Sequence, residues 1–506
     1  MEFEYPKMAE KWCPVTISAK GREDGNPFTD YFIEGIFESK NETVNVKGFY
    51  DGNGIYKVRF MPSFTGEYKF TVHGNFAAKE FSGAFEVSPP SPQNHGPVRV
   101  ANGFHFAYED GTPYYPIGTT CYAWTHQTEE LQEKTLETLK NSPFKKIRFC
   151  VFPKHYIHNF NEPQTYPYVG KPCDTSGLNE DTFEYGKIYN DNDWDFKRFN
   201  PEHFRRFEKR IEDLMNLGIE ADIIVMHPYD RWGFSRMDSE SDDLYWNYVV
   251  ARFAAYRNVW WSFANEYDLM PQKNIKDWER YAKIVCENDP YNHLRSIHNC
   301  GPFYDYSKPW ITHCCIQRQD AYKTAEFTDE WRQRYKKPIV LDEICYEGNI
   351  DCGWGNISGQ ELVRRFWEAT CRGGYAGHGE TYLHPDDILW WSHGGELHGE
   401  SPKRLKFLYD ILRETPGLGL RPYNLGWDFV TAVPEGIGFA PPEYYLIYFG
   451  FSRPSYRTFY FDNENEYNVE IIDTWDMTIT PAGKFKGKFK IPLPGKEYIA
   501  LRIRKV

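Results

Sequence analysis

Short runs in which apolar and polar residues alternate occupy both ends of the chain. Residues 1–88 contain runs such as YKFTV from Tyr68, separated by turn clusters such as DGNG from Asp51. Strands at this spacing predict an N-terminal, immunoglobulin-like β-sandwich. The proline-rich residues 89–97 predict a linker, because proline removes ladder donors and stiffens the chain. Renewed alternation over residues 426–506 predicts a second, small C-terminal β-sandwich.

Between these ends, residues 98–425 show apolar strands that alternate with helical periodicity. The helix after the second strand is the best marked, because Asn200 can cap it, Pro201 suits its first position and Gly218 can end it. Eight apolar runs are the strand candidates: 115–119, 146–151, 222–226, 259–263, 294–297, 311–316, 339–341 and 375–377. Eight strands with helices between most of them predict a (β/α)8 TIM barrel in the α/β class. A doubly wound sheet is disfavoured, because no glycine-rich phosphate loop follows any strand.

Composition and charge mainly exclude classes of partner. The 59 Lys and Arg against 72 Asp and Glu give a net charge of −13 without a basic run, so we expect no nucleic-acid partner. No segment approaches the roughly 18 apolar residues of a membrane span and the N-terminus resembles no secretory signal. We therefore expect no membrane partner and a cytoplasmic location, which also suits the 11 cysteines. No zinc-ligand spacing occurs, and we expect no cofactor.

Two glutamates lie where a TIM barrel carries its chemistry, directly after the C-terminal ends of strands. Glu266 ends the fourth strand (VWWSFANE) and Glu343 ends the seventh (PIVLDE). These strands lie nearly opposite each other in a barrel, so the two carboxylates can face one bound group. Glycoside hydrolysis needs an acid of raised pKa and an ionised carboxylate, about 5–5.5 Å apart in retaining enzymes. Arg148, inside the second strand, is the predicted donor that keeps Glu343 ionised.

Further residues near strand ends are candidates for binding a small carbohydrate, because imidazoles and carboxylates bond hydroxyl groups and loop tryptophans stack on sugar rings. The set comprises Asn265, Arg148, His227, His298, His378, Glu380, Tyr346, Trp232, Trp390 and Trp391. Each histidine could equally be a satisfied buried side chain, and Glu380 could pair with Arg148 or Arg231. Trp390 or Trp391 is the favoured stacking platform.

The motifs at strands four and seven carry a family resemblance. Asn265-Glu266 and Glu343 are similar to the catalytic pattern of the clan A glycoside hydrolases. The order of the three domains and the stretches GFYDGNGIYKVRFMPSFTGEYKFTVHGN, WWSFANEYDL, PIVLDEICYEGNI and GGYAGHGETYLHPDDILWWSHGGELHG resemble the apiosidase-like glycoside hydrolases. The resemblance implies a retaining enzyme in which Glu266 is the acid/base, Glu343 is the nucleophile and Asn265 bonds the sugar 2-hydroxyl. It also implies that a homo-oligomer is plausible.

From these features we expect a retaining, exo-acting glycoside hydrolase that removes a terminal sugar from small glycosides. Insertions after strands two and eight (153–199 and 382–400) would close one end of the cleft, and polar contacts at Glu380 favour a β-galactoside. Two alternatives stay open. Histidines after strands three, five, six and eight with Glu380 could ligate zinc in a metal-dependent barrel hydrolase, or the chain could be a non-catalytic carbohydrate-binding protein.

Overall fold

The computed structural model describes residues 3–383, 389–426, 430–436 and 442–506. Two sheets form an N-terminal β-sandwich. In spatial order, one has strands Phe3–Glu4, Val15–Lys20, Ile55–Phe60 and Phe49–Tyr50, and the other has Met8–Glu10, Phe81–Ser88, Gly66–Gly74, Ile33–Glu38 and Thr43–Lys47. Alternate side chains point between the sheets, where Phe37 stacks on Phe60 with ring centroids 4.2 Å apart. The predicted N-terminal β domain is therefore confirmed.

Eight parallel strands form the nearly closed barrel that the apolar runs predicted. From first to eighth they are Gly118–Thr120, Lys146–Cys150, Glu220–Met226, Val259–Ala264, Arg295–Ser296, Cys314–Gln317, Ile339–Glu343 and Tyr375–His378. They pair in sequence order around the barrel, and a bridge between His298 and Cys315 joins the fifth to the sixth. A small sheet of Val98–Ala101, His105–Tyr108 and Pro113–Tyr114 places Phe106 against Trp260, at the N-terminal end of the barrel.

Helices follow most of the barrel strands and form the outer layer. They span Glu129–Lys140, Pro201–Leu217, Ser239–Phe253, Ile275–Asn288, Thr328–Tyr335, Gly359–Cys371, Trp390–His393 and Ser401–Arg413. The second begins as its sequence predicts, because the Asn200 side chain accepts from the Glu202 N–H. It ends at Gly218, whose φ of 69° suits glycine. No helix of the described part is long and apolar enough to cross a bilayer.

Further short elements lie in the loops after the strands. The insertion after strand two contains the hairpin Tyr168–Lys171 and Asp193–Phe199, and the loops after strands seven and eight pair Glu347–Gly348 with Glu380–Thr381. Single 3-10 turns occupy Trp124–His126, Glu180–Thr182, Phe234–Arg236, Tyr267–Leu269 and Ala325–Phe327. These loops build the face of the barrel that carries the site.

The C-terminal β domain packs on the barrel helix Gly359–Cys371, where the Trp367 ring stacks on that of Tyr448 at 5.4 Å. Its six-stranded sheet has the order Leu420–Pro422, Val430–Pro434, Tyr444–Tyr448, Ile499–Lys505, Glu466–Asp473 and Thr478–Lys486. A two-stranded sheet, Tyr456–Tyr460 and Lys488–Pro492, packs against it.

A buried group of charges, the interface cluster, joins the N-terminal sandwich to the barrel. It consists of Asp51, Arg59, Glu208 and Arg252. Glu208 accepts from Arg59 Nη1 at 2.9 Å and from Arg252 Nε at 2.7 Å, while Arg252 Nη1 donates to Asp51 at 2.8 Å. All four side chains are almost fully buried, and each charge has an opposite partner.

Candidate active site

A cavity of about 480 Å³ opens at the C-terminal ends of the barrel strands. Glu266 and Glu343 both border it, together with a wall rich in aromatic rings. The lining residues are Tyr122, Lys154, Tyr156, His158, Tyr185, Gly186, Pro228, Tyr229, Asn265, Glu266, Leu269, Cys300, Gln319, Glu343, Trp354 and Trp391. The two glutamates that the sequence singles out therefore face one space.

Glu266 lies between the fourth strand and the turn Tyr267–Leu269, in the left-handed region of backbone space, with φ 51° and ψ 59°. A non-glycine residue in this region costs about 1–2 kcal/mol and is typical of functional sites. Its carboxylate accepts from the Tyr229 hydroxyl, from Asn265 Nδ2 at 3.2 Å and from Gln317 Nε2 at 3.2 Å. Burial, and next the negative charge of Glu343, raise the pKa of Glu266.

Glu343 ends the seventh strand and has a different set of partners. The Tyr122 hydroxyl donates to its carboxylate, His298 Nε2 lies 3.0 Å from Oε1, and Arg148 Nη1 lies 3.6 Å from the same oxygen. Burial alone would raise the pKa of Glu343, but the charge and hydrogen bond of His298 and the charge of Arg148 outweigh it. The result is a pKa lowered to about 2. The two carboxyl groups are therefore shifted in opposite directions.

A second buried layer supports the cavity floor from inside the barrel. His298 Nδ1 lies 3.1 Å from Cys315 Sγ, and this thiol donates to Asp342 Oδ2 at 2.9 Å. Lys146 Nζ donates to Asp342 and to Asp222, at 2.6 Å each. This network fixes the ring of His298, and through it the carboxylate of Glu343.

Several of the predicted site residues meet around this cavity. Asn265 and Trp391 line it, and Arg148 and His298 lie behind it in contact with Glu343. The Tyr122 hydroxyl, which donates to Glu343, also lies 3.0 Å from Asn265 Oδ1. Tyr346 packs behind Trp391, with ring centroids 5.8 Å apart.

Other predicted sugar-binding residues contact structural parts of the barrel and its loops and do not line the cavity. Glu380 is buried and accepts from the backbone N–H of His398, and so holds that loop. His378 Nδ1 and Trp390 Nε1 both meet the Thr119 hydroxyl, at 2.9 and 2.8 Å. His227 Nε2 lies 3.1 Å from the Phe152 carbonyl, and Trp232 packs on Phe234.

The histidines of the zinc alternative do not converge either. His227, His298 and His378 contact different partners, as described above, and His313 packs its ring between Phe106 and Trp260 at the opposite end of the barrel. Within the described residues, no group of three or more His, Cys, Asp or Glu side chains is arranged to hold a metal ion. The donor set expected for a metal-dependent hydrolase is therefore not assembled.

Sequence reasoning missed most of the cavity wall. Tyr122 and Lys154 follow the first and second strands, so their position alone could have marked them as candidates. Tyr156, His158 and Tyr185 lie in the insertion 153–199, which carries no periodicity. In the other insertion, Trp391 lines the cavity, and residues 384–388 lie outside the described part.

Three family models match the chain. Residues 100–401 match the apiosidase-like catalytic domain. Residues 8–75 match a domain of unknown function, DUF5060, and residues 427–504 match another, DUF5605. The three matches follow the order of the N-terminal sandwich, the barrel and the C-terminal β domain.

Solved structures resemble all or most of the chain. A candidate glycoside hydrolase from Bacteroides vulgatus ATCC 8482 is 37% identical, with 99% of this chain and 100% of that chain covered and a TM-score of 0.90. A structure described as a glycoside hydrolase is 15% identical, covers 82% of this chain and 98% of its own, and has a TM-score of 0.60, which shows a shared fold. No curated protein matches the chain significantly.

Proposed function

We propose that this protein, which belongs to the apiosidase-like family of glycoside hydrolases, hydrolyses glycosides with retention of anomeric configuration. One observation carries the proposal: two glutamates of one cavity have pKa values shifted apart. A retaining glycosidase needs a protonated carboxyl group and an ionised one at the same moment. By analogy with the clan A glycoside hydrolases, Glu266 is the acid/base and Glu343 is the nucleophile.

In the first step the Glu343 carboxylate attacks the anomeric carbon, and the bond from that carbon to the leaving oxygen breaks. The Glu266 carboxyl proton passes to the leaving oxygen, so the aglycone departs as a neutral alcohol. The sugar is then esterified to Glu343. Consumption of the Glu343 charge lowers the pKa of Glu266, because one of the two causes of its elevation has gone.

In the second step water replaces the aglycone. The Glu266 carboxylate takes a proton from that water as its oxygen attacks the anomeric carbon, and the ester bond to Glu343 breaks. His298 and Arg148 stabilise the carboxylate that leaves, as they do in the resting site. Asn265, which borders the cavity beside Glu266, is the proposed partner of the sugar 2-hydroxyl.

Exo action on a terminal sugar remains part of the proposal. Tyr185 and Gly186 from the insertion after strand two border the cavity, and Trp391 from the insertion after strand eight borders it too. A cleft closed by such loops favours binding of a chain end. The expected preference for β-galactosides loses its basis, because Glu380 holds the loop at His398.

The proposal also includes a cytoplasmic location, small imported glycosides as substrates and a homo-oligomeric state. All 11 cysteines lie in the described residues and are free thiols, and seven of them are buried. Free thiols in this number suit a reducing compartment.

A panel of nitrophenyl glycosides tests the proposal. For the substrate that is cleaved, we expect proton NMR to detect a first product with the anomeric configuration of the substrate. A 2-deoxy-2-fluoro glycoside with a good leaving group should add one sugar to the peptide that contains Glu343, as detected by mass spectrometry. An inverted first product would contradict the mechanism, and release of mixed internal fragments from a polymer would contradict exo action.

A further inference from the structure

The ammonium group of Lys154 is a buried cation without a hydrogen-bond acceptor or ion-pair partner among the described residues. The side chain is 2% exposed and lines the cavity. Its Nζ lies 3.5 Å from the ring centroid of Tyr122, 4.2 Å from that of Tyr229 and 4.4 Å from that of Tyr156. The ring of Trp391 also lies over Nζ, with its centroid at 5.5 Å. Four ring faces therefore surround the charge, and the cavity is the remaining open side.

Other buried lysines of the same barrel are compensated by carboxylates. Lys146 contacts Asp222 and Asp342 at 2.6 Å each. Lys273 contacts Asp242 at 2.5 Å and the Met237 carbonyl at 2.7 Å. Lys154 thus stands out as the buried lysine that faces the cavity with its ammonium unpaired.

The ring cage is connected to both glutamates. The ring of Tyr122 contacts the ammonium, and its hydroxyl donates a hydrogen bond to Glu343. The ring of Tyr229 also contacts the ammonium, and its hydroxyl donates a hydrogen bond to Glu266. The ammonium therefore lies near both glutamates, where the sugar that reacts with Glu343 would bind. Both carboxylates are close enough to interact with its charge electrostatically.

Burying an ammonium group costs several kcal/mol, and each ring face returns about 0.5–2 kcal/mol. Burial also lowers the pKa of Lys154, which shows that the protonated form is incompletely compensated. The rings accept no strong hydrogen bond, so N–H groups stay available. A ligand oxyanion would provide the charge-assisted hydrogen bond that the protein itself does not.

We propose that Lys154 binds a carboxylate on the sugar that reacts at Glu343, so that the substrate is a glycoside of a uronic acid. The inference rests on the proposed glycosidase function and names its substrate class. A neutral hydroxymethyl group at the same place would leave the ammonium with a weaker, uncharged acceptor. Uronides are therefore preferred over the corresponding neutral glycosides.

The kinetic test compares pairs of substrates that differ only at the sixth carbon: 4-nitrophenyl β-D-glucuronide with the β-D-glucoside, and the β-D-galacturonide with the β-D-galactoside. We expect kcat/KM to be about 10- to 100-fold higher for the preferred uronide, the range of one hydrogen bond to a charged group. In Lys154→Met this preference should disappear. In Lys187→Met, which removes an exposed lysine of the same insertion, it should persist. An equal loss on both members of a pair in Lys154→Met would show a purely electrostatic role and overturn the inference.

A binding test does not depend on turnover. Calorimetry with D-glucuronate, D-galacturonate, D-glucose, D-galactose and D-glucose 6-sulfate should show the tightest binding for a uronate, and Lys154→Met should lose that advantage. Equal affinity for uronates and neutral sugars, or tighter binding of the sulfate ester, would overturn the assignment. Uronate selectivity without any hydrolysis would instead reject the glycosidase function alone. Because Met replaces an uncompensated charge, the variant should unfold at no lower temperature than the natural protein, which checks that it is folded.

Discussion

The interface cluster and the active-site cavity are two buried groups of charges with opposite designs. In the interface cluster, Arg59 and Arg252 contact Glu208, and Arg252 and Lys57 contact Asp51. The pKa values of both carboxyl groups are lowered because these cations outweigh burial. In the cavity, one glutamate has a raised pKa and the other a lowered pKa. The four acidic residues are similarly buried, with 4% to 7% of each exposed, so burial alone does not explain the difference.

The difference lies in how the opposite charges are distributed. In the interface cluster, Arg59 and Arg252 both form ion pairs with Glu208. In the cavity, Arg148 and His298 contact Glu343, whereas the hydrogen-bond donors to Glu266 are uncharged. A cluster in which every charge is paired stabilises the contact between two domains. A cluster with unequal pairing keeps one carboxyl group protonated and so able to donate a proton. Substitutions in the two regions should therefore affect different properties.

The largest effect is expected for Glu343→Ala, which removes the proposed nucleophile. We expect kcat to fall by about 10⁴-fold or more, as for other nucleophile deletions, with partial rescue by azide through a glycosyl azide of inverted configuration. The matched control is Glu380→Gln, a buried carboxyl group at the next strand end that contacts neither glutamate in the described structure. A comparable loss in the control would show that the fall is not specific to the nucleophile.

Next in size is Glu208→Ala, which leaves Arg59 and Arg252 buried without their shared partner. The free energy of unfolding, measured with urea, should fall by about 3–5 kcal/mol. The folded-state pKa of Glu208 is lowered, so its contribution is present above its unfolded pKa of about 4.3 and is lost as the pH falls through the folded value. The variant should lack this acid-dependent loss.

The control for Glu208 is Lys406→Ala, which breaks an exposed pair with Asp410 on one helix. Such a pair contributes about 0.3–0.5 kcal/mol. If the two substitutions cost the same, the interface cluster would have no special role in stability.

A smaller effect is expected for His298→Asn, which removes the N–H group beside Glu343. The pKa of Glu343 should rise, so the acid limb of the pH profile of kcat/KM should move to higher pH, with a loss of about 10- to 100-fold at the optimum. His378→Asn, an equally buried histidine on Thr119, should leave the acid limb in place. An unmoved limb in His298→Asn would refute its role beside the nucleophile.

The smallest effect is expected for Tyr229→Phe. Its hydroxyl stabilises the ionised form of Glu266, so removal should raise the pKa of Glu266 further and move the alkaline limb of kcat/KM to higher pH. The loss at the optimum should stay below about tenfold. Tyr156→Phe is the control, because its hydroxyl donates to Ser392 and not to a carboxylate. A shift of the alkaline limb to lower pH would contradict this assignment.

The sequence by itself determined the barrel and its two glutamates. Apolar runs such as Ile339–Glu343 encode each strand locally, and the position of a glutamate directly after a strand places it at the C-terminal face. These features depend on neighbours in the chain, so they could be predicted without knowledge of distant contacts. The β domains follow from the same local alternation.

Only the tertiary structure decided which strand-end side chains meet. His378 ends strand eight as Glu343 ends strand seven, and Glu380 follows two residues later. Glu380 nevertheless contacts His398, and His378 contacts Thr119, so neither lines the cavity. The cage around Lys154 gathers rings from loops after four different strands. Such contacts, and the unequal pairing that separates two glutamate pKa values, depend on distances in space that no local pattern encodes.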